Sequence, residues 1–144
     1  MKPSEGFASY LASLHRAVHA LGLYFEASLD GITQAEAIVL LFLATTQSPT
    51  INELHRAFLH RRSTLTSVLD RLERRGYVTR KMHTGDRRSL RLGLTAPGRK
   101  AADAVAASLA ELESEVSASA ARMSAASRLL EQTATSAAEV IDGI

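Results

Sequence analysis

Between Thr50 and Gly98 the apolar residues change period, and that change limits the folds open to the chain. Leu65, Val68, Leu69 and Leu72 fall at i, i+3, i+4 and i+7, which is one face of a helix. Gly76 is placed to end that helix in a left-handed conformation. Beyond it, Leu90, Leu92 and Leu94 alternate with Ser89, Arg91 and Gly93, the pattern of a strand with one face covered and one wet. The stretch therefore reads as a helix over Arg62–Arg75, a strand over Tyr77–His83, a turn at Thr84–Arg87 and a returning strand over Ser89–Leu94. Ahead of it, Thr50 and Glu53 have the spacing of a capping box, which opens a short helix with Leu54 and Phe58 facing inward. Two helices, a short turn and a ribbon make a winged helix-turn-helix.

The flanks read as helix. Phe7, Leu11, Leu14, Val18, Leu21 and Phe25 step by four and three residues in turn, one stripe along a helix from Ser4 to Leu29. That period suits a seam between helices of two subunits, and packing within one chain would produce the same stripe. Asp30-Gly31 breaks the helix, and Thr33 to Glu36 supplies a second capping box. Ile38, Val39, Leu41, Phe42 and Leu43 then make a helix apolar nearly all round, the expected centre of the domain, which Gln47-Ser48-Pro49 ends. Thr95-Ala-Pro-Gly opens a fifth helix with Val105, Leu109, Leu112 and Val116 on one side. A sixth, over about Ala121–Ile141, carries Met123, Leu129, Leu130, Val140 and Ile141 among small residues that permit close helix approach.

The expected fold is mainly α with a small β-wing, in a single domain of residues 1–144. Residues 31–99 form the winged helix-turn-helix, and residues 1–30 and 100–144 form a helical dimerisation region. The longest apolar run, Ala37 to Ala44, is far short of the roughly 20 residues that span a bilayer, so no membrane role is expected. The first residues do not read as a signal peptide, and cysteine is absent, which excludes disulfides and thiol sensing. These features indicate a cytoplasmic protein.

Charge is segregated along the chain. Residues 1–49 hold two Lys/Arg against four Asp/Glu, residues 50–100 thirteen against four, and residues 101–144 two against seven. A basic block between acidic flanks is the footprint of a surface that meets a polyanion. In a winged helix-turn-helix the second helix enters the major groove of duplex DNA, about 12 Å wide, with its N-terminal residues at the base edges. Here those residues are Arg61, Arg62, Ser63 and Thr64, followed by Thr66 and Ser67 one turn on. Arginine pairs bidentately with guanine, and hydroxyls bond phosphates or bases with little preference. Arg71, Arg74 and Arg75 lie further along, where phosphate neutralisation is the expected role.

At this point the chain resembles the MarR family of transcriptional regulators. The resemblance runs from the first helix to the last. It is most specific at Glu53-Leu54, Arg62-Ser63-Thr64-x-Thr66, Asp70-Arg71-Leu72-Glu73, Gly76, Asp86-Arg87-Arg88 and Leu94-Thr95-x-x-Gly98. It implies a homodimer of triangular outline with helices one, five and six at the interface, and a repressor that binds a pseudo-palindromic operator. It also implies a wing that reaches the minor groove, with Arg88 inserted there and Asp86 orienting it through a salt bridge. A narrow minor groove concentrates negative potential, which suits an arginine on a tight turn. The chain departs from the family pattern in three places. Leu59 stands where many members have glycine, Arg61 after His60 replaces a serine-like helix cap, and the wing begins His83-Thr84 instead of Asp-Pro.

In many members of the family a small aromatic or phenolic anion binds between the dimerisation helices and the winged unit. Tyr10, His15, His19 and Tyr24 are the polar groups of the first helix that a cleft of this kind would use, although each is more commonly a satisfied or exposed helix residue. His15 and His19 have a spacing that suits a metal, but no third ligand stands near them, so neither metal nor cofactor is expected. No phosphate loop, nucleophile elbow or carboxylate pair suggests an enzyme. Two further readings stay open on the residues alone. One is a winged-helix protein-interaction module that offers its basic face to an acidic partner. The other is a nucleoid-type DNA binder without an effector.

Overall fold

A computed structural model of the chain describes residues 1–58, 61–83 and 85–142, with the backbone alone at 83, 86–89 and 142. The elements follow in the order α1 (Glu5–Ser28), α2 (Gln34–Thr45), α3 (Ile51–Phe58), α4 (Arg62–Arg74), β1 (Val78–His83), β2 (Asp86–Leu94), α5 (Ala96–Val116) and α6 (Ala120–Asp142). Helices and one two-stranded antiparallel sheet reproduce the expected class, mainly α with a small β-wing. The departure from the family at the entry to α4 falls partly on Leu59 and His60, which lie outside the described residues.

Two compact units are present, residues 1–108 and residues 109–144. The first has a continuous core. Val39, Leu40 and Leu43 of α2, Leu54 of α3, and Leu65, Val68, Leu69 and Leu72 of α4 are all buried. Val78 and Leu92 come in from the ribbon, Phe25 from α1, and Ala101, Ala102 and Val105 from α5. In the second unit no described residue is buried, and Val116, Met123, Leu129, Leu130, Val140 and Ile141 are exposed.

Local chemistry explains the helix boundaries. Ser4 caps α1, its hydroxyl accepting from the Phe7 N–H at 3.2 Å. Thr33 and Glu36 form a reciprocal capping box on α2, and Thr50 and Glu53 do the same for α3. At the end of α4 Gly76 takes φ +74°, its N–H bonding the Glu73 carbonyl while that of Tyr77 reaches Leu72. This is the paired closure that a left-handed glycine permits. Thr95 then turns the chain from β2 into α5. Its hydroxyl donates to the Gly76 carbonyl at 2.6 Å and accepts from the Gly98 N–H at 3.0 Å.

The ribbon departs from the sequence expectation in two respects. β2 starts at Asp86 instead of Ser89, because His83 pairs with Asp86 after a register shift between Met82 and His83. Such an irregularity takes up extra residues on one strand, and the alternation of apolar residues does not encode it. In addition Leu90, opposite Met82, is exposed, because the helices cover only the root of the ribbon at Val78 and Leu92.

Candidate nucleic-acid interface

The amphipathic α4 buries Leu65, Val68, Leu69 and Leu72, which turns Arg62, Ser63, Thr64, Thr66 and Ser67 to solvent. Arg61 is the N-cap residue, extended at φ −58° and ψ 144°, and its side chain makes no capping bond. The first N–H groups of α4 therefore have no side-chain acceptor from the cap, at the end where the helix dipole is positive. Arg61 and Arg62 add two exposed cations there. A helix start with that charge and no cap favours an anionic partner. The Thr66 hydroxyl donates to the Arg62 carbonyl at 2.8 Å and that of Ser67 to Ser63 at 3.0 Å. Both residues are exposed, so the hydroxyl oxygens can still accept from a partner.

The arginines of the C-terminal half of α4 are committed within the protein to differing degrees. Arg71 donates from Nε to Glu36 Oε1 at 2.8 Å, and Glu36 is only 2% exposed. The other oxygen of Glu36 accepts the Thr33 backbone N–H at 2.8 Å. Burial pushes the Glu36 carboxyl up, but the Thr33 bonds and the Arg71 guanidinium outweigh burial and hold it below its usual range. Arg75 donates to the Gly31 and Asp30 carbonyls at 3.2 and 3.0 Å and lies over the Tyr77 ring. Arg74 remains exposed, its Nε donating to the Asp70 carbonyl at 3.3 Å.

Two further arginines, Arg80 and Arg91, belong to the frame of the site. Arg80 on β1 reaches Asp70 and Glu73 of α4. Arg91 on β2 donates to the Ser48 carbonyl at 3.1 Å and stands 3.6 Å from Glu53. Sequence reasoning counted both as part of the basic block. Only the i, i+3 pair Asp70 and Glu73 hinted at a partner, since spacing within one helix cannot show which strand will lie beside it. For Arg75 a signal was present: it follows Val68 by seven residues, at the edge of the buried face.

At the wing, the backbone of Asp86, Arg87 and Arg88 is the first part of β2. Their side chains, and with them the Asp86–Arg88 salt bridge, lie outside the described residues. On α1, His15 and His19 are exposed with parallel rings 6.5 Å apart, and they line an open hollow of about 280 Å³ with Glu26 and Gln34. Tyr24 is engaged elsewhere. Its hydroxyl donates to the Ser108 carbonyl at 2.8 Å and accepts from the Ser108 hydroxyl. Tyr10 stands beside Phe7.

Residues 30–89, from the α1–α2 turn through the first part of β2, match the sequence model of the MarR family. Over that stretch the chain is similar to the MarR family. Members are DNA-binding transcription regulators and not enzymes. Among solved structures, AbfR of Staphylococcus epidermidis is similar at 27% identity and a TM-score of 0.75, over 92% of this chain and 94% of AbfR. Overoxidized AbfR bound to DNA is 28% identical, with a TM-score of 0.70 over 90% and 93% of the two chains. S. aureus MepR, in its complex with DNA, shares 22% identity and a TM-score of 0.72 over 94% and 99%. No curated protein matches the chain.

Proposed function

We propose that this chain is a MarR-like regulator that binds duplex DNA as a homodimer and represses transcription by occluding a promoter. The reading rests above all on how α4 sorts its cations. Arg61 and Arg62 stand exposed at an uncapped helix start beside Ser63, Thr64, Thr66 and Ser67, whereas the half-exposed Arg71 and Arg75 bond Glu36 and the Gly31 and Asp30 carbonyls. That division suits a helix whose N-terminal half enters the major groove while its C-terminal half fixes the helix to the body. Arg74 meets phosphate, and Arg88 enters the minor groove, oriented by Asp86 and flanked by Arg87. AbfR, at 28% identity, has been solved on DNA, which favours the same surface.

A homodimer is supported by the stripe on α1. Phe7, Leu11 and Val18 are 48%, 41% and 46% exposed, although their spacing is that of a buried seam. Two copies related by a twofold axis would present their α4 helices to half-sites about 34–36 Å apart. The hollow beside His15 and His19 offers a small aromatic or phenolic effector a place near the dimer seam. Binding there would favour a spacing of the two α4 helices that no longer fits the operator.

The test is genomic footprinting with the wild-type protein, followed by binding to the recovered duplexes. A few sites with pseudo-palindromic sequence are expected. Many sites without a shared sequence would indicate a nucleoid-type binder, and no protected site would leave the protein-interaction module.

A further inference from the structure

A two-stranded ribbon has little stability or fixed direction of its own, so something must aim the wing. Along one face of β1 the cover from the body thins step by step: Val78 is 2% exposed, the Arg80 side chain 22%, and Met82 61%. Arg80 stands where the packing ends, paired in register with the buried Leu92. Its Nη2 donates to Asp70 Oδ1, and its Nε lies 3.4 Å from Glu73 Oε2 as an ion pair. Asp70 and Glu73 are three residues apart on α4, so one guanidinium spans two points along that helix. The opposite strand is held at its root by the bond from the Leu92 N–H to the Pro49 carbonyl at 2.8 Å and by Arg91, 3.6 Å from Glu53 of α3, so Arg80 supplies the charged link to α4.

We propose that Asp70, Arg80 and Glu73 form a positioning clamp that sets the angle between the α4 helix and the wing. DNA affinity then depends on these residues although none of them touches DNA. The inference rests on the DNA-binding reading and adds to it a source for the wing's aim. Arg80 lies between two carboxylates, so the trio adds no positive charge to the face. A phosphate contact would need a cation with charge to spare.

The clamp and plain electrostatics predict opposite signs for one substitution. Asp70→Asn removes a negative charge from the helix nearest the DNA, which by charge alone tightens binding. The clamp predicts weaker binding, by about tenfold, the loss expected for a charge-assisted bond. The probe is a labelled duplex selected by the wild-type protein from a random-sequence pool, titrated at several salt concentrations. Arg80→Gln should weaken binding similarly with an unchanged salt slope, whereas a lost phosphate contact lowers the slope by about 0.9. Because the clamp acts through the wing, Asp70→Asn should cost little once Arg88→Ala has removed the wing contact. Asp70 is half exposed, so its variant should keep its fold, with thermal melting as the check.

Tighter binding by Asp70→Asn, a reduced slope for Arg80→Gln, or additive losses with Arg88→Ala would each overturn the clamp. If the wild-type chain enriches no duplex at all, the DNA-binding reading fails, and the clamp's role in affinity fails with it.

Discussion

Gly98 sits where no side chain fits. A Cβ placed on it would lie 1.9 Å from the Tyr77 carbonyl oxygen and 2.7 Å from its carbon, both backbone atoms that cannot swing aside. The same junction holds the Thr95 hydroxyl between the Gly76 carbonyl and the Gly98 N–H, so any shift would also break the start of α5. Gly98→Ala is therefore expected to cost at least about 2 kcal/mol, at the upper side of the usual overpacking range, measured by urea unfolding. A variant as stable as the wild type would mean that the junction yields far more easily than its contacts suggest. At the wing, Arg88→Ala is expected to lose about 1–3 kcal/mol of operator affinity. Unchanged affinity at moderate salt would remove Arg88 from the interface.

At the scale of elements, Glu36 joins two helices, since it caps α2 and receives Arg71 from α4. Its carboxyl is held below the usual range despite burial, so the folded state binds this proton less readily than the unfolded chain. The resulting stability is present above the unfolded value, about 4.3, and is lost as pH falls through the lower folded value. Thermal melts from neutral to acid pH should show this loss. Glu36→Gln should be less stable at neutral pH and lose less on acidification. Parallel profiles for the two proteins would assign the acid loss to other carboxylates. Exposed Glu53 is lowered too, chiefly by the Thr50 backbone N–H, and would add to the same slope.

These elements also show what a sequence can and cannot disclose. Both capping boxes, the closure at Gly76 and the buried face of α4 were legible because each is written in residues a few positions apart. The pairing of Glu36 with Arg71, 35 residues away, was not, and neither was the reach of Arg80 to α4. Partners on different elements leave no spacing signature. The register shift near the tip of the wing was hidden for a related reason, since alternation sets which face a residue takes but not which residue it opposes.

Assembly is the question at the scale of the whole molecule. Within the first unit the stripe on α1 is half-covered at Leu14 and Leu21 and fully buried only at Phe25, and within the second unit no described residue is buried. Apolar surface of that extent seldom stays in water in a soluble chain, and a stable homodimer would cover about 1,600 Å² of it. Leu11 and Val18 are exposed within the subunit, so Leu11→Glu with Val18→Glu should leave the winged helix folded. The double variant is then expected to sediment as a monomer at micromolar concentration, and the wild type as a dimer. Losing the tether between two DNA-reading units should weaken binding to a full operator by about a hundredfold or more. Binding to an isolated half-site should change little, because Arg61 to Ser67 are untouched. If the variant remains a dimer, or binds the full operator as tightly as the wild type, the seam lies elsewhere than on α1. A monomeric wild type at micromolar concentration would exclude the twofold arrangement altogether, and the operator would then need only one half-site.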